Sequence, residues 1–103
     1  MVEKDKLSAI ENYLAELFPG CAVENAWDAT SGRYMFRVSA PTGETRHTIG
    51  VARDFLSENE LEDIVIFLKV DNLKAYLEMF GSKEVLVTND GINPHGKRPS
   101  VIT

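Results

Sequence analysis

The chain has 103 residues, with 16 acidic side chains against 11 Lys plus Arg and a formal charge of −5. Its apolar share of 44% and charged share of 26% are those of one ordinary globular domain, long enough to fold without metal or disulfide support. The single cysteine, Cys21, excludes a disulfide within the chain, and the acidic balance argues against non-specific binding to nucleic acid or anionic membrane.

The opening stretch "MVEKDKLSAIENYL" holds no apolar core of the signal-peptide kind. The longest purely apolar run, residues 64 to 68, is far short of the roughly 20 residues of a membrane helix. A cytoplasmic protein with no membrane association is the expectation. Residues 5 to 18 then set Leu7, Ile10, Leu14, Leu17 and Phe18 at helical spacing, with Glu11, Asn12 and Glu16 turned to water, and Pro19-Gly20 ends the helix.

From residue 21 to 53 the period changes to two. Cys21, Val23 and Trp27 share one parity, as do Tyr34, Phe36 and Val38, and then His47, Ile49 and Val51. The turn signals "DATSG" and "APTG" separate the runs, which predicts a three-stranded antiparallel meander. Setting Trp27 opposite Tyr34 also sets Val23 opposite Val38, and on the reverse face Asp28 opposite Arg33 and Glu24 opposite Arg37. A similar count around Pro41-Thr42 sets Phe36 opposite His47 and Arg37 opposite Arg46. One face is then apolar, and the other is wet, carrying Glu24, Asp28, Arg33, Arg37, Arg46 and Thr48.

In residues 57 to 80 the β-branched run "DIVIFLKV" suits a buried strand, but helical spacing and a capping-box pattern of Ser57 with Glu60 favour helix. The stripe Leu61, Ile64, Val65 and Leu68 lies roughly 120° around the wheel from the stripe Leu73, Tyr76, Leu77 and Phe80. One straight helix cannot bury both against a sheet, so a break near Val70 is expected, with Asp71 as the new N-cap and Gly81 as the stop. "KEVLVT" (83 to 88) reads as a last strand. Pro94, Gly96 and Pro99 follow with little to bury, which divides the chain into one domain over residues 1–90 and a flexible tail over 91–103.

The fold class is therefore α+β in two layers: an N-terminal helix, the meander, one broken or two successive helices, a short final strand and the tail. That element order is similar to the double-stranded-RNA-binding fold and to the acidic chaperones of bacterial secretion systems. The similarity is one of order alone. Residues 57 to 63 are acidic where the RNA-binding domain starts a helix with lysines, and no residue roles carry over.

Candidate chemistry is sparse. Cys21 and His47 are the one pair that could form a cysteine–histidine nucleophile, but the expected register parts them by four residues and two strands, against the roughly 3 Å such a pair needs. Glu58, Glu60, Glu62 and Asp63 suit the dipole of a helix start better than a metal, and His95, beside Lys97 and Arg98, has no second ligand at metal spacing. Neither a catalytic set, a metal site nor a cofactor is expected. Trp27 is expected at a core edge, where a half-exposed ring can anchor a partner. The guanidinium groups of Arg33, Arg37 and Arg46 are the candidate binding residues, suited to a carboxylate, a phosphate or an acidic patch. The expected function is a small non-enzymatic binding or regulatory module acting through protein contacts, including a homodimer through an unpaired edge of the first or third strand. The alternative is a nucleic-acid-associated accessory protein using the arginine face, which the net charge disfavours; a small enzyme ranks below both.

Overall fold

The computed structural model describes residues 4–81, 83–89 and 91–94. In chain order the elements are α1 (Lys4–Leu17), β1 (Ala22–Asp28), β2 (Arg33–Ser39), β3 (Thr45–Ala52), α2 (Arg53–Glu58), α3 (Leu61–Val70), α4 (Leu73–Phe80), β4 (Glu84–Thr88) and β5 (Gly91–Pro94). The fold is α+β, with the N-terminal helix, the antiparallel meander and the later helices in the expected order. The five strands lie side by side in chain order. Every neighbouring pair is antiparallel except β3 with β4, which run parallel because α2, α3 and α4 carry the chain back across the sheet.

Strand parity decides the layers. Phe36 and Val38 from β2, Ile49 and Val51 from β3, Val85 and Val87 from β4 and Ile92 from β5 are all buried in one cluster. Ile10, Tyr13 and Leu14 from α1, Phe55 and Leu56 from α2, Ile64 and Leu68 from α3, and Leu73 and Leu77 from α4 complete it. All the helices contribute to this one core, on one face of the sheet. Tyr13 widens the expected α1 stripe; burial, helped by the charge of Glu16, pushes its phenol above the usual tyrosine range.

The β1–β2 register is the one expected, from Ala22 opposite Ser39 to Asp28 opposite Arg33. Asp28 fixes the turn itself: its carboxylate accepts from the Thr30 amide at 3.1 Å and the Ser31 hydroxyl at 2.9 Å, with Gly32 beyond at φ +71°. The β2–β3 register is a correction. Phe36 lies opposite Ile49 rather than His47, and Arg37 opposite Thr48 rather than Arg46. Two local features add up to this slip of two. The turn is closed by Gly43 N–H to the Ala40 carbonyl and Ala40 N–H to the Glu44 carbonyl, both 2.8 Å, and a bulge at Val38/Ser39 takes up one further residue. From His47 to Ala52 the slip is even, so those side chains keep their predicted faces; the bulge breaks the alternation at Thr45 and Arg46.

The second half differs more. Ser57 belongs to α2, where its hydroxyl donates to the Asp54 carbonyl at 3.3 Å, and Glu60 precedes α3 without a side-chain cap, so no capping box forms. The chain is extended at Asn59, whose amide donates back to the Phe55 carbonyl at 2.7 Å and ends α2 there. The break near Val70 is present, but Asp71 closes α3 and Asn72, left-handed at φ 60°, opens α4. Asparagine tolerates that conformation better than most residues, and it re-aims the second stripe. Gly81 closes α4 as expected. The first four residues assigned to the tail, Gly91–Pro94, form β5 against β4; His95, Lys97 and Arg98 lie outside the described residues. No helix among those residues is long and apolar enough to cross a membrane.

Candidate functional site

The reverse face of the sheet carries no described helix. Alternation brings three rows across it. Ala26, Met35, Gly50 and Leu86 stand side by side on β1 to β4; Glu24, Arg37, Thr48 and Glu84 form the next row; Asp28, Arg33 and Ala52 form the third. The sequence reading missed the apolar row; the one signal for it was "RYMFR" in β2, which turns Met35 outward, while Glu84 and Leu86 join only because β4 lies parallel to β3.

Arg33 donates from Nη1 to Glu84 Oε2 at 2.9 Å, diagonally across Gly50. A Cβ at position 50 would stand 2.6 Å from that carboxylate oxygen and 3.3 Å from both Arg33 Cδ and Met35 Sδ. The glycine leaves room for the ion pair. Gly50→Ala is expected to move the Glu84 carboxylate aside, so that the Arg33–Glu84 coupling, up to about 1 kcal/mol for a half-exposed pair, falls to near zero in a double-mutant cycle.

The two opposite-charge pairs of the expected register behave differently from ion pairs. Asp28 faces Arg33 across the ladder but spends its carboxylate on its own turn, and Glu24 faces Arg37 without closing to ion-pair distance. Arg37 is exposed and has no ion pair among the described residues. It sits with Glu24 at the junction of two open grooves. One, of about 480 Å³, runs over Ala26, Met35 and Thr48. The other, of about 530 Å³, runs past Cys21 and Ser39 to Pro41.

Arg33 and Arg37 thus share a face, about 13 Å apart along β2. Arg46 does not join them. The register slip and the bulge set it beside the β2–β3 turn, and it lines neither groove.

His47 is half-buried on the core side. Its Nδ1 lies 3.0 Å from the Gly81 carbonyl, and its ring packs on Phe18 with centroids 4.5 Å apart. The true register brings it level with Val38 and Val23, two residues from Cys21 rather than four, yet two strand spacings and about 7 Å along the strand still separate them. Among the described residues no three potential ligands come together as a metal site. Glu58 accepts from the Asn89 amide at 3.1 Å, while Glu60, Glu62 and Asp63 are exposed. Trp27 is 44% exposed and tilts against Tyr34 at 4.8 Å, at the rim of the sheet. No protein-family model matches the chain, and neither does any curated protein or solved structure.

Proposed function

We propose that the chain is a non-enzymatic binding or regulatory module that acts through protein contacts, docking its partner on the open sheet face over β1 and β2. The observation that carries this reading is Arg37. It is an exposed guanidinium, without an ion pair among the described residues, where two grooves meet on a face no described helix covers. A planar cation beside an apolar floor of Ala26 and Met35 suits a partner segment that offers a carboxylate next to small apolar side chains. The engagement of His47 by Gly81 and Phe18, away from Cys21, supports a role without catalysis. A cytoplasmic location, which a single unpaired thiol suits, belongs to the same reading.

Nucleic acid is the weaker partner class. Arg33 is already neutralised by Glu84, Glu24 and Glu84 lie on the same face, and the chain carries −5 overall. The test is capture from cell extract by the wild-type chain and by Arg37→Ala and Arg46→Ala. Arg37→Ala should lose the captured protein, with affinity down about tenfold or more, while its melting curve stays unchanged. Arg46→Ala should lose less. An identical captured set for Arg37→Ala would end the proposal, and salt-sensitive capture of nucleic acid would put the alternative in its place.

A further inference from the structure

Among the described residues the free side of β1 is the longest open edge in the sheet. β1 and β5 are the two edge strands, and no described residue pairs with the outer side of either. β5 has four residues and ends on Pro94, which has no N–H to offer. β1 has seven residues, Ala22–Asp28, with no proline, glycine or lysine among them and no bulge in its pairing with β2. Such a strand presents a row of unmatched backbone donors and acceptors to any strand that fits.

We infer that β1 pairs antiparallel with β1 of a second copy, about a two-fold axis through Asn25. The sequence selects both the partner and the register. For the two sheets to continue with their faces matched, residues of like parity must stand opposite. Centring the axis on Glu24 sets the two Glu24 side chains against each other, and centring it on Ala26 sets Glu24 against Asp28 twice. Centring it on Asn25 pairs all seven residues with no like charges opposed. Ala22 then meets Asp28, Glu24 meets Ala26, and Val23 meets Trp27.

That last pair explains the ring left out at the rim. Trp27 is the chain's single tryptophan and lies on the helix side, 44% exposed, where it would cover the half-buried Val23 of the second copy. Near the axis each Asn25 amide already donates to Glu11 of α1. Its second N–H is free to reach the other copy's Glu11, which offsets the approach of two carboxylates. The pairing would also join the two β1–β2 grooves into one trough across a continuous sheet, since each contains Glu24 and Ala26. It is an isologous contact and closes at two copies.

The test uses the purified chain alone, with mass from sedimentation and burial from Trp27 fluorescence across a dilution series, so it does not depend on the proposed function. The wild type should run at twice the chain mass and its emission should shift to the red on dilution. Raising the salt should tighten the dimer, because two chains of −5 repel. Ala26 is exposed on the reverse face, so charge is tolerated there by the monomer. Ala26→Glu opposes Glu24 of the other copy twice and should raise the dissociation constant about tenfold; Ala26→Lys should lower it by a similar factor. A single chain mass up to about 1 mM, the weak limit of specific association, would overturn the inference. So would a dimer that responds alike to both substitutions.

Discussion

Phe36→Ala is expected to lower stability by about 3–5 kcal/mol, read as a fall in the denaturation midpoint at unchanged slope. Met35→Ala, one residue earlier on the same strand, should cost no more than about 1 kcal/mol. Phe36 is 0% exposed at the middle of the sheet, between Asn25 and Ile49, and the whole helical layer closes over that face. Removing the ring loses its transfer energy and leaves a hole that the surrounding helices and strands cannot collapse together to fill. Met35 is half-buried on the reverse face beside Gly50, where no described helix lies over it, so truncation leaves a surface depression that water can enter rather than a closed hole. Since a domain of this size is held by only about 5–15 kcal/mol, the phenylalanine variant should sit near the edge of folding at room temperature. Equal costs for the two would mean that the faces are assigned wrongly.

That contrast rests on what the sequence makes most legible, namely parity. Which side a strand residue takes depends on its own position, so the apolar alternation through Tyr34, Phe36 and Val38, and again through His47, Ile49 and Val51, placed the core face correctly. Register is another matter. It was right for β1–β2, where the turn is fixed by Asp28 and Gly32, residues that announce it. It slipped by two for β2–β3 because "APTG" gives no sign that the turn extends to Glu44 or that a bulge follows. The same limit applies to the helices. The mismatch of the two apolar stripes foretold a break, but the residue that opens α4 is the left-handed Asn72 rather than Asp71, and α2 begins at Arg53 with no side-chain cap to mark it.

The candidate site shows the cost of missing one long-range pairing. A meander of three strands alone groups Arg33, Arg37 and Arg46 on one face. The structure adds β4 beside β3, and Glu84 arrives opposite Thr48, where Arg33 reaches it across Gly50. A parallel neighbour is connected through three helices, so nothing local to Arg33 reveals its partner. The bulge then moves Arg46 away, and the three-arginine cluster contracts to Arg37 at the meeting of two grooves. The expected third-strand edge disappears for the same reason, since β4 covers it and leaves β1 as the long open edge. The polar side of β1 and β2 was legible residue by residue, though not the row of Ala26, Met35, Gly50 and Leu86 that crosses the face. Its charge pattern was not, because charge neutralisation depends on neighbours that only the whole topology supplies.

Ile92→Asp should destabilise the chain by at least about 3 kcal/mol, against about 0.5–1.5 kcal/mol for Ile92→Val. A loose tail would tolerate both. Ile92 sits in β5 opposite Val87, is 7% exposed and belongs to the same buried cluster as Phe36 and Val51. A carboxylate there must either lose its water or pull β5 off the sheet, and the second route strips the cover from Val85 and Val87 as well. Deleting residues 91–103 forces that outcome. It removes the Ile92 side chain and also turns β4, with "VLV" at its centre, into an exposed edge. The truncated chain should therefore be both less stable and prone to associate through β4, whereas the full-length Ile92→Val protein should be neither. If Ile92→Asp melts within about 0.5 kcal/mol of the wild type, the ordinary scatter of surface substitutions, then Gly91–Pro94 does not close the sheet and β4 is already its edge. The contrast between β1 as an open strand and β5 as a blocked one would fall with it, because two long edges would then compete for the second copy.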